Sequence, residues 1–289
     1  MNYAVFWGCK IPFYLPQYEL SVRAILNVLG VKITNMEFNC CGYPIRHDSF
    51  EASVFSGARN IALALNNNVN ILTPCKCCFG NLMHVNHWLR ENKSLREKVN
   101  TLLKEEGLEW DSGTEIRHLL SVLFHDVGLE AVQAKIRHPY NGLKVAVHYG
   151  CHALRPGNIV QFDNPFAPTI FESLVAVTGA EPVDWPGRLE CCGNPLWEKN
   201  RQLSLKLMKT KIDDALQSGA AVMCVACTYC QIQFDSVRME ALKDDPVCST
   251  LPSVLYSQLL GLAFGIDEKQ LGLKQNKTGQ NFNFIQSVS

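Results

Sequence analysis

Long apolar runs are missing from this chain. No stretch reaches the roughly 18 uninterrupted apolar residues that a membrane-spanning helix needs. The most apolar segment, LPSVLYSQLLGLAFG (Leu251 to Gly265), is shorter and carries polar positions. The N-terminus, MNYAVFWGCK, has neither the basic start nor the apolar length of a secretory signal. Charge imbalance is missing too: 27 Lys and Arg offset 27 Asp and Glu, with no dense basic tract. Neither a nucleic-acid surface nor a polybasic membrane patch is therefore indicated. No G-x-G-x-x-G occurs, so the chain shows no flavin or nucleotide fingerprint of its own. These absences predict a cytoplasmic chain without a transmembrane segment, and one that binds no nucleic acid, flavin or nucleotide itself.

What is present belongs to a folded protein. The composition is 47% hydrophobic and 19% charged, which excludes a largely disordered chain. At 289 residues it suits one large domain or two of ordinary size. Cysteine is abundant, at 13 residues. Disulfides rarely persist in the cytoplasm, and an odd count would leave a thiol unpaired, so metal binding is the leading explanation.

The chain is written twice. YAVFWGC (Tyr3 to Cys9) answers KVAVHYGC (Lys144 to Cys151), each an apolar run that reads as a strand ending at a cysteine. Helical patterns follow at Tyr18 to Leu29 and Thr169 to Val177, closed by Gly30 and Gly179 as left-handed caps. Short second strands (VKITNME; AEPVDW) lead into Cys40-Cys41-Gly42 and Cys191-Cys192-Gly193. After a helix of about a dozen residues, apolar strands (VNILTPC; AAVMCVAC) deliver Cys75-x-x-Cys78 and Cys227-x-x-Cys230. Distal helices, IRHLLSVLFHDVGL and PSVLYSQLLGLAFGI, correspond as well. Strands alternating with helices predict an α/β fold of two pseudo-twofold-related, Rossmann-like domains with small parallel sheets flanked by helices. The expected domains are 1–140 and 141–289, joined by a turn at His138 to Gly142, with an irregular or partner-docked polar tail from Asp267.

The cysteine motifs are Cys9-x30-Cys40-Cys41-Gly42-x32-Cys75-x2-Cys78 and Cys151-x39-Cys191-Cys192-Gly193-x33-Cys227-x2-Cys230. Soft thiolates select zinc, copper(I) or iron–sulfur clusters. Neighbouring residues on an extended backbone point in opposite directions, so an adjacent pair reaches different irons of a cluster more easily than it chelates one ion. Glycine after the pair lets the backbone turn sharply. A pair of structural zinc sites with spare thiols is the plain alternative. Cys77, Cys224 and Cys248 fall outside the repeat and read as small buried apolar residues.

These motifs resemble the cysteine-rich CCG domain, and two in one chain resemble the B subunit of heterodisulfide reductase; KVAVHYGCHALRP and MNYAVFWGCKIP are close to it in wording. The resemblance implies two noncubane [4Fe-4S] clusters. Cys9, Cys40, Cys41, Cys75 and Cys78 would hold one, and Cys151, Cys191, Cys192, Cys227 and Cys230 the other. It also implies a ferredoxin-type iron–sulfur C subunit and a flavin-containing A subunit as partners, and reductive cleavage of a disulfide by one-electron steps. The substrate stays open between a disulfide or thiol and a lipoate-bound sulfur, because CCGNPLWEKN lacks the glycine-rich run the resemblance implies after Gly193, while the first motif continues as CCGYPIRHD. Lys10, Lys76, Arg46 and Arg155 stand near ligands and are candidates to attract an anionic thiol; His148 and His152 flank Cys151 as candidate proton donors. His84 and His87 read as structural. A noncatalytic electron relay, as in hydroxy-acid or quinone-linked CCG complexes, is the second reading.

Overall fold

The computed structural model describes residues 1–245 and 250–278. Two parallel sheets of four strands organise it. The first is built from β1 (Asn2–Val5), β2 (Lys32–Thr34), β3 (Asn70–Thr73) and β4 (Ile116–His118), in the order β2-β1-β3-β4. The second takes β5 (Lys144–His148), β6 (Glu181–Pro182), β7 (Val222–Val225) and β8 (Ser253–Leu255), in the order β6-β5-β7-β8. Register is equivalent: Ala4 pairs with Ile71 in one sheet and Ala146 with Met223 in the other. The central strands are apolar and buried, because helices cover both faces of a parallel sheet. The repeat read from sequence is thus a repeat of topology.

The helices form where their signals lie. Pro16–Val28 opens on proline at its first position and buries Tyr18, Val22, Ile25 and Leu26 along one stripe. Gly30 and Gly179 beyond the first helices have φ of 70° and 88°, as expected of left-handed caps. Phe50–Asn66 and Arg201–Gln217, 17 residues each, are longer than the expected dozen. Ser49 and Asn200 cap them, accepting from Ala52 N and Leu203 N.

One expectation is corrected. The distal segments from Ile116 and Pro252 are not helical throughout: each opens with a three-residue strand, β4 or β8, that completes its sheet. Three residues are too few for alternation to separate from helical periodicity. The tail as far as Thr278 is largely irregular and packs on this chain. Lys277 N and Thr278 N donate to Asp235 Oδ1 at 2.8 and 2.6 Å, and buried Asn276 bonds Gln258 and Gln17.

The halves interlock. The helix Tyr256–Ala263 of the second half packs on Pro16–Val28 of the first half, where Ser21 and Ser257 hydroxyls meet at 2.7 Å. Reciprocally, the segment 119–128 packs on Ile170–Ala176. The buried apolar residues form one cluster across both halves.

Candidate metal centre

Every repeat cysteine lies at or beyond the C-terminal end of a parallel strand, where α/β folds gather ligands. β1 and β5 run on to Cys9 and Cys151. β3 and β7 lead to Cys75 and Cys227, each preceding a helix (Lys76–Glu91; Thr228–Gln231) whose first turn carries Cys78 or Cys230. The paired cysteines occupy the loops after β2 and β6. Gly42 and Gly193 then turn the chain with φ of 91° and 88°, a conformation glycine adopts without strain. Their N–H groups donate back to Cys40 Sγ and Cys191 Sγ at 3.5 and 3.4 Å.

The first half yields a string of neighbouring sulfurs: Cys9 with Cys40 at 3.6 Å, then Cys40 near Cys41, Cys41 near Cys78, and Cys78 near Cys75. Cys151, Cys191, Cys192, Cys230 and Cys227 repeat the string. Within each pair the two sulfurs are neighbours, and each has a further partner outside the pair: Cys9 for Cys40 and Cys78 for Cys41. The two strings meet at Cys75 and Cys227. All ten side chains singled out from sequence are thereby brought together, five and five.

Charge is uneven along each string. Bonds from Cys41 and Cys9 pull the Cys40 thiol down to about 3. Those from Cys151 and Cys192 lower Cys191 in the same way. Donation to these two sulfurs pushes Cys9, Cys41, Cys151 and Cys192 up. Five thiols this close resist ionising together unless a cation compensates them. The donor set fits a thiophilic group with several metal atoms, since a single tetrahedral ion would leave one sulfur over.

The remaining candidates separate. Lys10 Nζ reaches across the interface to within 5.1 Å of the Tyr229 ring centre, beside Cys230. His152 Nδ1 lies 3.0 Å from Cys77 Sγ and 3.8 Å from Cys151 Sγ, with its ring edge-on to Tyr43. Arg155 is exposed and donates to the Leu189 carbonyl at 3.0 Å, and Arg46 stacks over Tyr43. Lys76 does not face an open site. It is fully buried, with Nζ over the Tyr149 and Phe171 rings and donating to the His148 carbonyl, and burial pushes it down to about 8. His84 donates to the Gly80 carbonyl and packs against Trp88, a structural role as expected.

Cys224 is packed inside β7, as expected of a small buried apolar residue, and Cys248 lies outside the described residues. Cys77 differs. It is buried, yet it contacts Cys75, Cys227 and His152 at the junction of the strings. Its place between the CxxC cysteines is the signal that could have found it. His118 has no counterpart among the sequence candidates: its Nε2–H is shared between the carbonyls of Pro74 (3.1 Å) and Ala226 (3.2 Å), the residues before Cys75 and Cys227, while Nδ1 accepts from Leu120 N. One imidazole therefore pins both CxxC loops. No sequence signal marks it, since residue 118 lies far from both cysteine motifs.

The family of the cysteine-rich domain, CCG, matches residues 3–83 and again 145–235. The chain belongs to the CCG family. Its CCG relatives include the B subunit of the ferredoxin:CoB-CoM heterodisulfide reductase of Methanosarcina mazei, 31% identical over 99% of this chain and 96% of the relative. The 8-methylmenaquinol:fumarate reductase membrane anchor subunit of Wolinella succinogenes is 34% identical over 95% and 96%. A protein of Archaeoglobus profundus, named as like the B subunit of heterodisulfide reductase, is 30% identical over 94% of each. Among solved structures, a hypothetical protein from Helicobacter pylori shares the fold, with a TM-score of 0.76 and 18% identity over 96% of this chain; the CCG chain spans about half its length. Among the described residues no helix is long and apolar enough to cross a membrane.

Proposed function

We propose that this CCG protein is a cytoplasmic iron–sulfur subunit of an oxidoreductase complex that cleaves or forms a sulfur–sulfur bond. Cys9, Cys40, Cys41, Cys75 and Cys78 hold one noncubane [4Fe-4S] cluster, and Cys151, Cys191, Cys192, Cys227 and Cys230 the other. One observation carries the reading: two five-sulfur strings end on each other at Cys75 and Cys227. Clusters bound there supply single electrons at two adjacent points, which suits a bond that needs two. Converting RS–SR′ to two thiols takes two electrons and two protons. Lys10 offers a cation to an anionic sulfur, and His152 lies where a proton can be passed to a departing thiolate. Arg155 stands farther out, on the rim. The electrons come from partner subunits, a ferredoxin-type iron–sulfur protein and a flavin protein, and the substrate is a disulfide, a thiol or a lipoate-bound sulfur.

A second reading, electron relay without catalysis, is favoured by a specific feature. The Tyr43 ring sits edge-on to His152 at 4.8 Å and to Tyr229 at 5.8 Å, and with Cys77 these side chains fill the junction between the strings. The Wolinella succinogenes relative, a subunit of a quinol-dependent reductase, agrees with it. The test is anaerobic purification, assay of iron and acid-labile sulfide, and paramagnetic resonance with and without thiol under oxidising conditions. About eight irons per chain and a signal changed by thiol support catalysis at the junction. Full iron with no thiol response supports the relay, and zinc without sulfide overturns both.

A further inference from the structure

Buried polar atoms find hydrogen-bond partners, and an orphan asks for an explanation. His148 is completely buried, and neither Nδ1 nor Nε2 has a partner in the protein. Rings close part of its surroundings: Phe234 stands edge-on at 5.1 Å, and Trp185 lies tilted at 6.1 Å with its own N–H given to the Val147 carbonyl. Sulfur closes another side. A His148 ring nitrogen, Cys192 Sγ and Cys230 Sγ all fall within 4.8 Å of one another. Nε2 and Cys230 Sγ also share a neighbourhood, 3.9 and 3.4 Å from the point where a Cβ on Gly150 would stand. A neutral imidazole carries one N–H and one bare nitrogen.

The repeat supplies an internal comparison. Aligning YAVFWGC with VAVHYGC puts Phe6 at the place of His148. Phe6 is equally buried and packs on Phe38 at 5.2 Å, but it has nothing to donate. The five sulfurs follow the same order in both halves. The polar lining does not.

We propose that His148 donates a hydrogen bond from Nε2 to the metal–sulfur group held by the second cysteine set, making that site more easily reduced than the first. The proposal rests on the reading that this set holds an iron–sulfur cluster. A donor aimed at cluster sulfur stabilises the added negative charge of the reduced state and raises the potential. The chain would then be asymmetric by construction, with electrons settling on the second site. His148 is a tuning residue, outside the ligand set.

The test is a redox titration of the anaerobically purified full chain, followed by paramagnetic resonance. His148→Phe, which copies the first half, is expected to disfavour reduction of the second site at least tenfold, or 59 mV for one electron, with iron and sulfide unchanged. His148→Gln, which keeps an N–H, should retain most of the difference, and Phe6→His should raise the first site. Proton double resonance after exchange into heavy water should show an exchangeable proton coupled to the second cluster in the wild type and none in His148→Phe. Full iron with unchanged potential and the same coupling in His148→Phe overturns the proposal while leaving the clusters intact. So does a strongly coupled nitrogen, the mark of ligation. If His148→Phe loses iron, the wild-type proton coupling and His148→Gln decide. Wild-type chain, never exposed to air, that holds neither iron nor acid-labile sulfide would instead overturn the underlying reading.

Discussion

Gly80 tests the junction between the halves most directly. It sits inside the helix Lys76–Glu91, one turn after Cys77. Helix propensity alone favours alanine there by about 1 kcal/mol. A Cβ at residue 80, however, would lie 2.5 Å from the carbonyl oxygen of His152, which belongs to the other half. Reaching even 3.0 Å requires the two backbones to separate by about 0.5 Å. The obstacle is a peptide group that cannot rotate away, so the overpacking cost falls near the upper end of the usual ~1–3 kcal/mol. Gly80→Ala should therefore be destabilised by about 2 kcal/mol net, a fall of roughly 3 °C in apparent Tm. Gly57→Ala is the comparison: it is also helical, but its Cβ would meet a side-chain methyl, Val85 Cγ2, at 2.8 Å and a backbone carbonyl, that of Cys41, only at 3.3 Å. It should be destabilised less than Gly80→Ala. Calorimetry of the three proteins under one anaerobic buffer, with iron per chain measured beside it, makes the comparison. A Gly80→Ala protein that melts with or above the wild type would refute the packing of this helix against residue 152.

Cys41→Ser and Cys192→Ser each remove a sulfur from one string only, so each should lower iron from about eight to about four per chain; loss of all iron from either would show that the sets are not independent. Burial, reinforced by the Lys76 charge, pushes His118 down to about 3 against its ordinary 6.5. The folded state thus binds fewer protons than the unfolded chain between pH 6.5 and 3. Stability should be complete above that window and fall with pH inside it, approaching ~1.4 kcal/mol per unit. His118→Gln, followed by denaturant midpoints from pH 7 to 5, should show a shallower decline, and an equal slope would exclude His118 as its source. Asp235→Ala removes the acceptor of Lys277 N and Thr278 N. It should cost about 1–3 kcal/mol and expose the segment after Leu273 to limited proteolysis; an unchanged digestion pattern would contradict that anchoring.

Much of the site was legible because its chemistry is local in sequence. Cys40-Cys41-Gly42 and Cys191-Cys192-Gly193 state an adjacent pair followed by a left-handed turn, and the glycine φ values follow. The repeat itself foretold two sheets of one topology. The fourth strands were hidden because Ile116–His118 and Ser253–Leu255 are too short to show a period. Lys76 misled for another reason: a lysine beside a ligand reads as solvent-facing until the opposite half covers it.

By itself, the sequence determined composition class, the duplicated α/β plan and the ten sulfurs, since spacing and side-chain softness act over a few residues and survive without a neighbouring chain segment. Tertiary structure alone decided how the two sets face each other: that Cys75 meets Cys227, that Cys77 and His152 occupy the junction, that His118 spans Pro74 and Ala226, and that His148 is buried without a protein partner beside Cys192 and Cys230. These contacts join residues from about 40 to more than 150 positions apart. Their energies depend on burial and distance, which arise only when the two sheets pack into one core.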